Sequence, residues 1–307
     1  MSRTRTCIRS GRVLGLLEQP QTVTNRRPEL VGAGGPAFRW RRGFTLVELS
    51  VVMALVGIIS ALLLPALARS KERAQAFRCL ANLRQLQTAW ILYTDENNGW
   101  LPGVIGGSYP GSGRWVSGWM DLSSNSDNTN TLYLTDDRFS QLAPYLRAPG
   151  VYRCPSDRSA VMIAGRAHPR VRSVSMNCWM NYVGSEEIGQ DEYRVFRKLD
   201  DIILPRPVNA WVLMDEREDS INDGLFKTDL KRRGAAARIG DFPASYHGRS
   251  AGIAFADGHA EIKRWVDRRT TPPMRLRQLL DLDVPSPDNP DVAWLQERSS
   301  SARAAIQ

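Results

Sequence analysis

Histidine is scarce in this chain of 307 residues: only His168, His247 and His259 are present. No HExxH spacing, phosphate-cradling glycine loop, dinucleotide fingerprint or Ser/His/Asp order accompanies them. Catalysis is therefore not expected. Cysteine is thin as well, at four residues, too few for a disulfide-framed fold. A basic surface is missing from most of the chain, although the net charge is +9. Residues 1–43 hold nine Arg against two Glu, whereas the remainder holds 32 basic and 30 acidic residues. Nucleic-acid binding needs cations clustered on the folded part, so no nucleic-acid partner is expected. No internal repeat is present. Hydrophobic residues at 42% and charged residues at 24% exclude both wholesale disorder and a polytopic membrane protein.

What the chain does have is one long apolar run, LSVVMALVGIISALLLPALA, from Leu49 to Ala68. Twenty helical residues span about 30 Å, the thickness of a bilayer's hydrocarbon core. Arg39, Arg41 and Arg42 precede it. Basic flanks stay cytoplasmic, so the C-terminal part is expected outside the cytoplasm. Three fates compete for such a segment. A secretory signal could be cut after Ala66-Leu67-Ala68, although the run exceeds a signal core of roughly 7–15 residues. A plain anchor is the second. The third depends on Gly43-Phe44-Thr45-Leu46-Val47-Glu48 just upstream. Glu48 gives neither an anchor nor a signal any advantage, because an acid in a membrane helix costs about 2.5–3.5 kcal/mol at its centre.

These residues resemble the cleavage and methylation segment of type IV pilins and type II secretion pseudopilins. The resemblance implies that a leader ending at Gly43 is removed by a prepilin peptidase and N-methyltransferase. Phe44 then becomes the methylated first residue, Glu48 the fifth, and Pro65 the twenty-second, where many pilins carry a helix-bending proline. A 43-residue leader is longer than the class's usual short one. Cleavage would expose a cationic amine at Phe44. A neighbouring subunit could bring its amine to Glu48 only by standing about one turn out of register, and such a repeated stagger builds a helical filament. The implied partners are other pilin or pseudopilin subunits, the inner-membrane assembly platform and membrane lipid. The implied place is a single-pass inner-membrane protein with a periplasmic head, or a filament.

Beyond Ala68, Phe77, Leu80, Leu83, Leu86, Trp90 and Tyr93 recur at helical spacing, and Asn97-Asn98-Gly99 supplies a stop. One helix over 44–96 is expected, bent at Pro65, with a sheet covering the apolar stripe of its second half. The expected layout is a leader at 1–43, an assembly helix at 44–68, an amphipathic helix at 69–97, a head at 98–283 and a loose tail at 284–307. The class expected from the resemblance is α+β: a long N-terminal helix packed on a mainly antiparallel sheet, pilin-like. In the head, strands are expected within 171–183 and 208–215, and a short helix from Asp136 or Asp137 through Leu146. Residues 251–265 should form a hairpin turning at Asp257-Gly258, and a last helix should open at Thr271-Pro272-Pro273 and run through Leu280.

His247, nine residues, then Asp257-Gly258 also resembles an H-x9-D-G signature near the C-terminus of some large prepilin-like proteins, and Cys154-Pro155-Ser156-Asp157 and Asn82-Leu83-Arg84-Gln85-Leu86 resemble segments of that same group. His247, Asp257 and His259 are candidates for a metal or acid–base site, set against a turn aspartate capping its own backbone. Asp215, Asp219 and Asp223 lie in an acidic loop, and the resemblance to calcium-holding major pseudopilins makes them calcium candidates. The EF-hand pattern fails there, since Ile221 and Leu230 stand where acids are required. Outside the leader, which holds Cys7, one disulfide is allowed: Cys154 with Cys79 or with Cys178. The expected function is a structural pilus or pseudopilus subunit. The alternative is a membrane-anchored or secreted domain that never polymerises and binds carbohydrate, through Trp115 or Trp119, or metal.

Overall fold

The computed structural model describes residues 43–104, 113–182, 188–275 and 278–306. The leader with its Arg flank and Cys7 therefore lies outside the described residues, apart from Gly43. The chain divides into two units, one ending at Leu55 and the other starting at Val56. In the first, Thr45 opens helix α1 (Leu46–Glu96). The Thr45 hydroxyl accepts the Glu48 amide at 3.2 Å, and Glu48 Oε2 accepts the Thr45 amide at 2.9 Å and its hydroxyl at 2.8 Å. That is a reciprocal capping box, with Thr at the cap and Glu three residues on.

In the second unit α1 continues with Pro65 inside it and ends where expected. Asn98 and Gly99 both take positive φ, and the Gly99 amide returns to the Thr94 carbonyl at 2.9 Å. The buried stripe is Cys79, Leu83, Leu86, Trp90 and Tyr93, an alternation of four and three. Phe77 does not join it and is 72% exposed. Two residues before Cys79, at about 100° per residue, it points to the opposite side of the helix.

Among the described residues, α1 is followed by a single helical turn, α2 (Leu132–Thr135), and nine strands: β1 (Ala160–Ile163), β2 (Arg166–Pro169), β3 (Val174–Asn177), β4 (Trp211–Asp215), β5 (Leu225–Phe226), β6 (Arg238–Ile239), β7 (Ser250–Phe255), β8 (Ala260–Arg264) and β9 (Val284–Pro285). The main sheet has the order β5-β3-β4-β7-β8 and is antiparallel except for the β3–β5 pair. Pairs β1–β2 and β6–β9 stand apart from it. The α+β class and the mainly antiparallel sheet are thus as expected, and the β7–β8 hairpin turns through Gly258 at φ +97. One face of the sheet joins the core beneath α1, through Val212, Leu213 and Ala254. The other face carries Trp211, Met214, Ile253 and Phe255 against Trp265 and Leu295. Trp211 and Leu213 reach opposite faces because a β-bulge lies between them.

Three expectations fail. Asp136 ends a helix instead of starting one, because its carboxylate folds onto the Arg138 amide and guanidinium. The described part of 271–280 is not helical. Its backbone is spent elsewhere: the Pro272 and Pro273 carbonyls accept from Arg217, and the Arg275 amide donates to Asp219. Residues 284–307 are not a loose tail either. They supply β9 and helix α3 (Pro290–Ser299), capped by Asn289 and started by a proline at its first position. Val292 and Leu295 are buried, and Trp211 Nε1 donates to Ser299 Oγ at 2.9 Å.

Candidate functional site

Two places carry chemistry. At the N-terminal segment, Gly43 and Phe44 are exposed, and a side chain on Gly43 would touch nothing within 4 Å. The Gly43–Phe44 bond therefore lies open on the surface. From Leu46 to Leu67 every large apolar side chain is exposed. In water that would be an untenable surface. By length and composition the helix can cross a membrane, and nothing among the described residues covers its most apolar stretch. Within that surface Glu48 is the lone carboxylate, satisfied locally by Thr45.

The second place is inside the head. Cys79 on α1, Cys154 in the loop before β1, Asp215 at the end of β4 and His247 just before β7 point their sulfur, oxygen and nitrogen atoms to one spot, all within 4.8 Å of one another. Each residue is at most 8% exposed. The Cys79 thiol donates to Asp215 Oδ2 at 2.5 Å, and Cys154 Sγ lies 3.3 Å from His247 Nε2. The Ser156 amide also donates to Cys154 Sγ at 3.4 Å. Hydrogen bonding from Cys79, then from His247 and Ser156, holds the Cys154 thiol down at about 5 against the opposing effect of burial. The same contact with Cys154, then burial, drives the Cys79 thiol up. Burial drives Asp215 well above the usual carboxylate range, reinforced by charge on Cys154 and Asp157. Among the described residues, Asp215 Oδ1 and His247 Nδ1 are buried without a hydrogen-bond partner.

The order of the N-terminal segment has counterparts in known proteins. Residues 41–64 match the prokaryotic N-terminal methylation motif. The chain carrying this motif is also similar to type II secretion system core protein G. Identity is 34% over 58 residues to the protein of Pectobacterium carotovorum subsp. carotovorum, covering 19% of this chain and 37% of that protein. It is 33% over 58 residues to that of Escherichia coli (strain K12), covering 19% and 40%. For Aeromonas hydrophila it is 35% over 60 residues, covering 20% and 42%. The chain thus spans about two fifths of the length of these relatives. No solved structure matches it.

Outside the methylation motif, the sequence-predicted candidates are scattered. Asp215 belongs to the cysteine cluster, Asp219 is clamped by Arg217 Nε and Nη2 at 2.5 and 2.9 Å, and Asp223 Oδ1 accepts the Leu225 amide at 2.8 Å. The three candidate calcium ligands therefore face different partners. Ile221 and Leu230 are core residues, 0% exposed. His247 does not meet Asp257 and His259. Those two pair with each other at 2.6 Å, with the His259 ring stacked on Phe255. Strand β7 separates them from His247, about 20 Å of extended chain at ~3.3 Å per residue. The nine residues of the H-x9-D-G spacing are thus essentially this strand and its approaches.

Cys79, Cys154 and Cys178 all carry free thiols. Cys178 sits in the core against the Thr228 backbone, whereas Cys79 lies beside Cys154. Trp115 is buried, its Nε1 donating to the Gly224 carbonyl, and Trp119 is 53% exposed. Two features escaped the sequence reading. The Thr45-x-x-Glu48 box was legible as a spaced pair. The cysteine–aspartate–histidine convergence had no local spacing to betray it, since its members come from four separate stretches.

Proposed function

We propose that the chain is a pseudopilin-like structural subunit, cut after Gly43, methylated on Phe44, held in the membrane by α1 and assembled through Glu48. The observation that carries this is the methylation motif over 41–64 with a carboxylate five residues past the Gly43 junction. The similarity to type II secretion core protein G supports a pseudopilus as the filament. The prepilin peptidase and other pseudopilin subunits are then its partners, and the large unit from Val56 onward carries the head on the far side of the membrane.

The physical case is electrostatic. Glu48 capped by Thr45 is stable in a single chain, because the helix's positive end and two donors hold it. The methylated amine of an incoming subunit, about one turn out of register, adds the full positive charge that the cap lacks. A buried carboxylate meeting a full cation in lipid gains most where water is excluded. Mass spectrometry of the mature N-terminus tests the assignment. A chain beginning at methyl-Phe44 is expected. A start at Arg69 would mean a secretory signal peptide and an intact leader a plain anchor, and either would overturn it.

A further inference from the structure

We propose that Cys79, Cys154, Asp215 and His247 form a closed tetrahedral metal centre for zinc or a similar thiophilic dication, which ties helix α1 to the sheet. Tetrahedral zinc with sulfur at ~2.3 Å and nitrogen or oxygen at ~2.0–2.1 Å separates its ligand atoms by roughly 3.3–3.8 Å. Four potential ligand atoms already gathered within 4.8 Å need only small side-chain adjustments to reach that spacing. The donor set is the one thiolate-rich zinc sites use, two sulfurs with an imidazole and a carboxylate. Calcium and magnesium, which take oxygen shells, do not suit it.

The surroundings fit an ion better than a hydrogen-bonded knot. Cys79 has one S–H proton, yet both Asp215 Oδ2 and Cys154 Sγ lie beside it. Burial keeps water from supplying the contacts that these side chains do not give one another. Among the described residues, Asp215 Oδ1 accepts no hydrogen bond. A dication supplies what is missing: the protons still held by the two cysteines and Asp215 leave for solvent, and two thiolates with a carboxylate are balanced to a net charge of −1. Space is kept open as well. A Cβ on Gly252 would stand 3.0 Å from Cys79 Sγ and 3.1 Å from Asp215 Oδ2. A groove of about 460 Å³, lined by Asn82, Cys154, Pro155 and Asp157 among others, offers a route in.

With all four positions filled by protein, the centre has no open site for substrate, so its role is structural. It cross-links α1 to three loops and strands distant in sequence. In a subunit inserted into a filament by its helix, that bond would resist the helix being drawn away from the head.

The test uses the full-length, detergent-solubilised protein. Elemental analysis is expected to find about one zinc per chain, and cobalt loading to give the absorption of tetrahedral cobalt with thiolate charge transfer. Chelation should lower the melting temperature, since a ligand bound only to the folded state stabilises it. Cys154→Ser and His247→Ala should each bind the metal at least roughly 10-fold more weakly. Metal-free chains whose thiols all react with alkylating agent would overturn the proposal, as would a Cys79–Cys154 disulfide in the native protein. The wild-type cobalt spectrum decides the matter even if the variants do not fold.

Discussion

On the proposed reading Glu48 has two calls on one carboxylate, and a single substitution separates them. As the third residue of a capping box it needs only an acceptor, which glutamine supplies equally well. As the partner of a neighbouring methylated amine it needs a negative charge. Glu48→Gln is therefore expected to insert, be cleaved and retain α1, yet to lose filament assembly by an order of magnitude or more, read as sheared or cross-linked polymer. Unimpaired assembly would reduce Glu48 to a cap. The residue was conspicuous in the sequence because a charge in an apolar run has to be explained, and its spacing from Gly43 fits the assembly role proposed for it. The four residues of the head cluster were conspicuous only singly. His247 had been grouped with Asp257 by sequence distance, and Asp215 with Asp219 by the acidic loop. Strand pairing, which brings the end of β4 beside β7, regroups both. Nothing in linear spacing encodes that.

At the scale of elements, periodicity and turn chemistry were legible, and long-range docking was not. The α1 stripe, its Asn-Asn-Gly stop and the Asp-Gly hairpin each rest on interactions within a few residues. The C-terminal segment was misjudged because its polar composition conceals a helix that is stable only when packed on Trp211 and Trp265. Even so, Asn289-Pro290 was a start signal in plain view. Asn289 accepts the Asp291 and Val292 amides and donates to Thr270 and Ser286. Asn289→Ala should therefore cost about 2 kcal/mol, a cap plus two stranded buried hydroxyls. A free tail would tolerate it within about 0.5 kcal/mol. Chemical denaturation of the solubilised protein distinguishes the two. The seat of α1 on the sheet yields a companion prediction. A Cβ at Gly252 would come within 2.4 Å of Leu83 Cδ1, whereas one at Gly150 would meet nothing within 4 Å. Gly252→Ala is expected to lose about 1–3 kcal/mol by overpacking. Gly150→Ala, the control, should lie near zero; equal effects would mean that α1 does not pack there.

For the molecule as a whole, pH response should betray how many acids the head buries. Burial raises Glu216 well above the usual range, while Ser175 and Ser220 hydroxyls donate to it. Asp241 is raised to about 7, again chiefly by burial, with the Lys227 amide donating to its Oδ2 at 2.6 Å. Asp223, Lys227, Asp283 and Glu216 are the charged groups that bear on it. Folded Asp241 keeps a proton that the unfolded chain gives up near 3.8. Its contribution to stability is thus complete below about pH 4 and lost as pH rises to about 7. Half-buried acids paired with arginine, such as Asp136 and Asp267, are lowered and act in the opposite sense, but below that window. Asp241→Asn still accepts the Lys227 amide and has no proton to lose. The variant should match the wild type at the acidic end and pull ahead as pH rises through the window. The lead expected is at least roughly 2–4 °C in melting temperature, what about 1 kcal/mol produces in a unit of this size. Taking the variant-minus-wild-type difference cancels any pH dependence of a bound metal, since Asp241 is not among its ligands. Parallel melting curves across the window would show that Asp241 is ionised in the folded head and that its burial is matched by charge elsewhere.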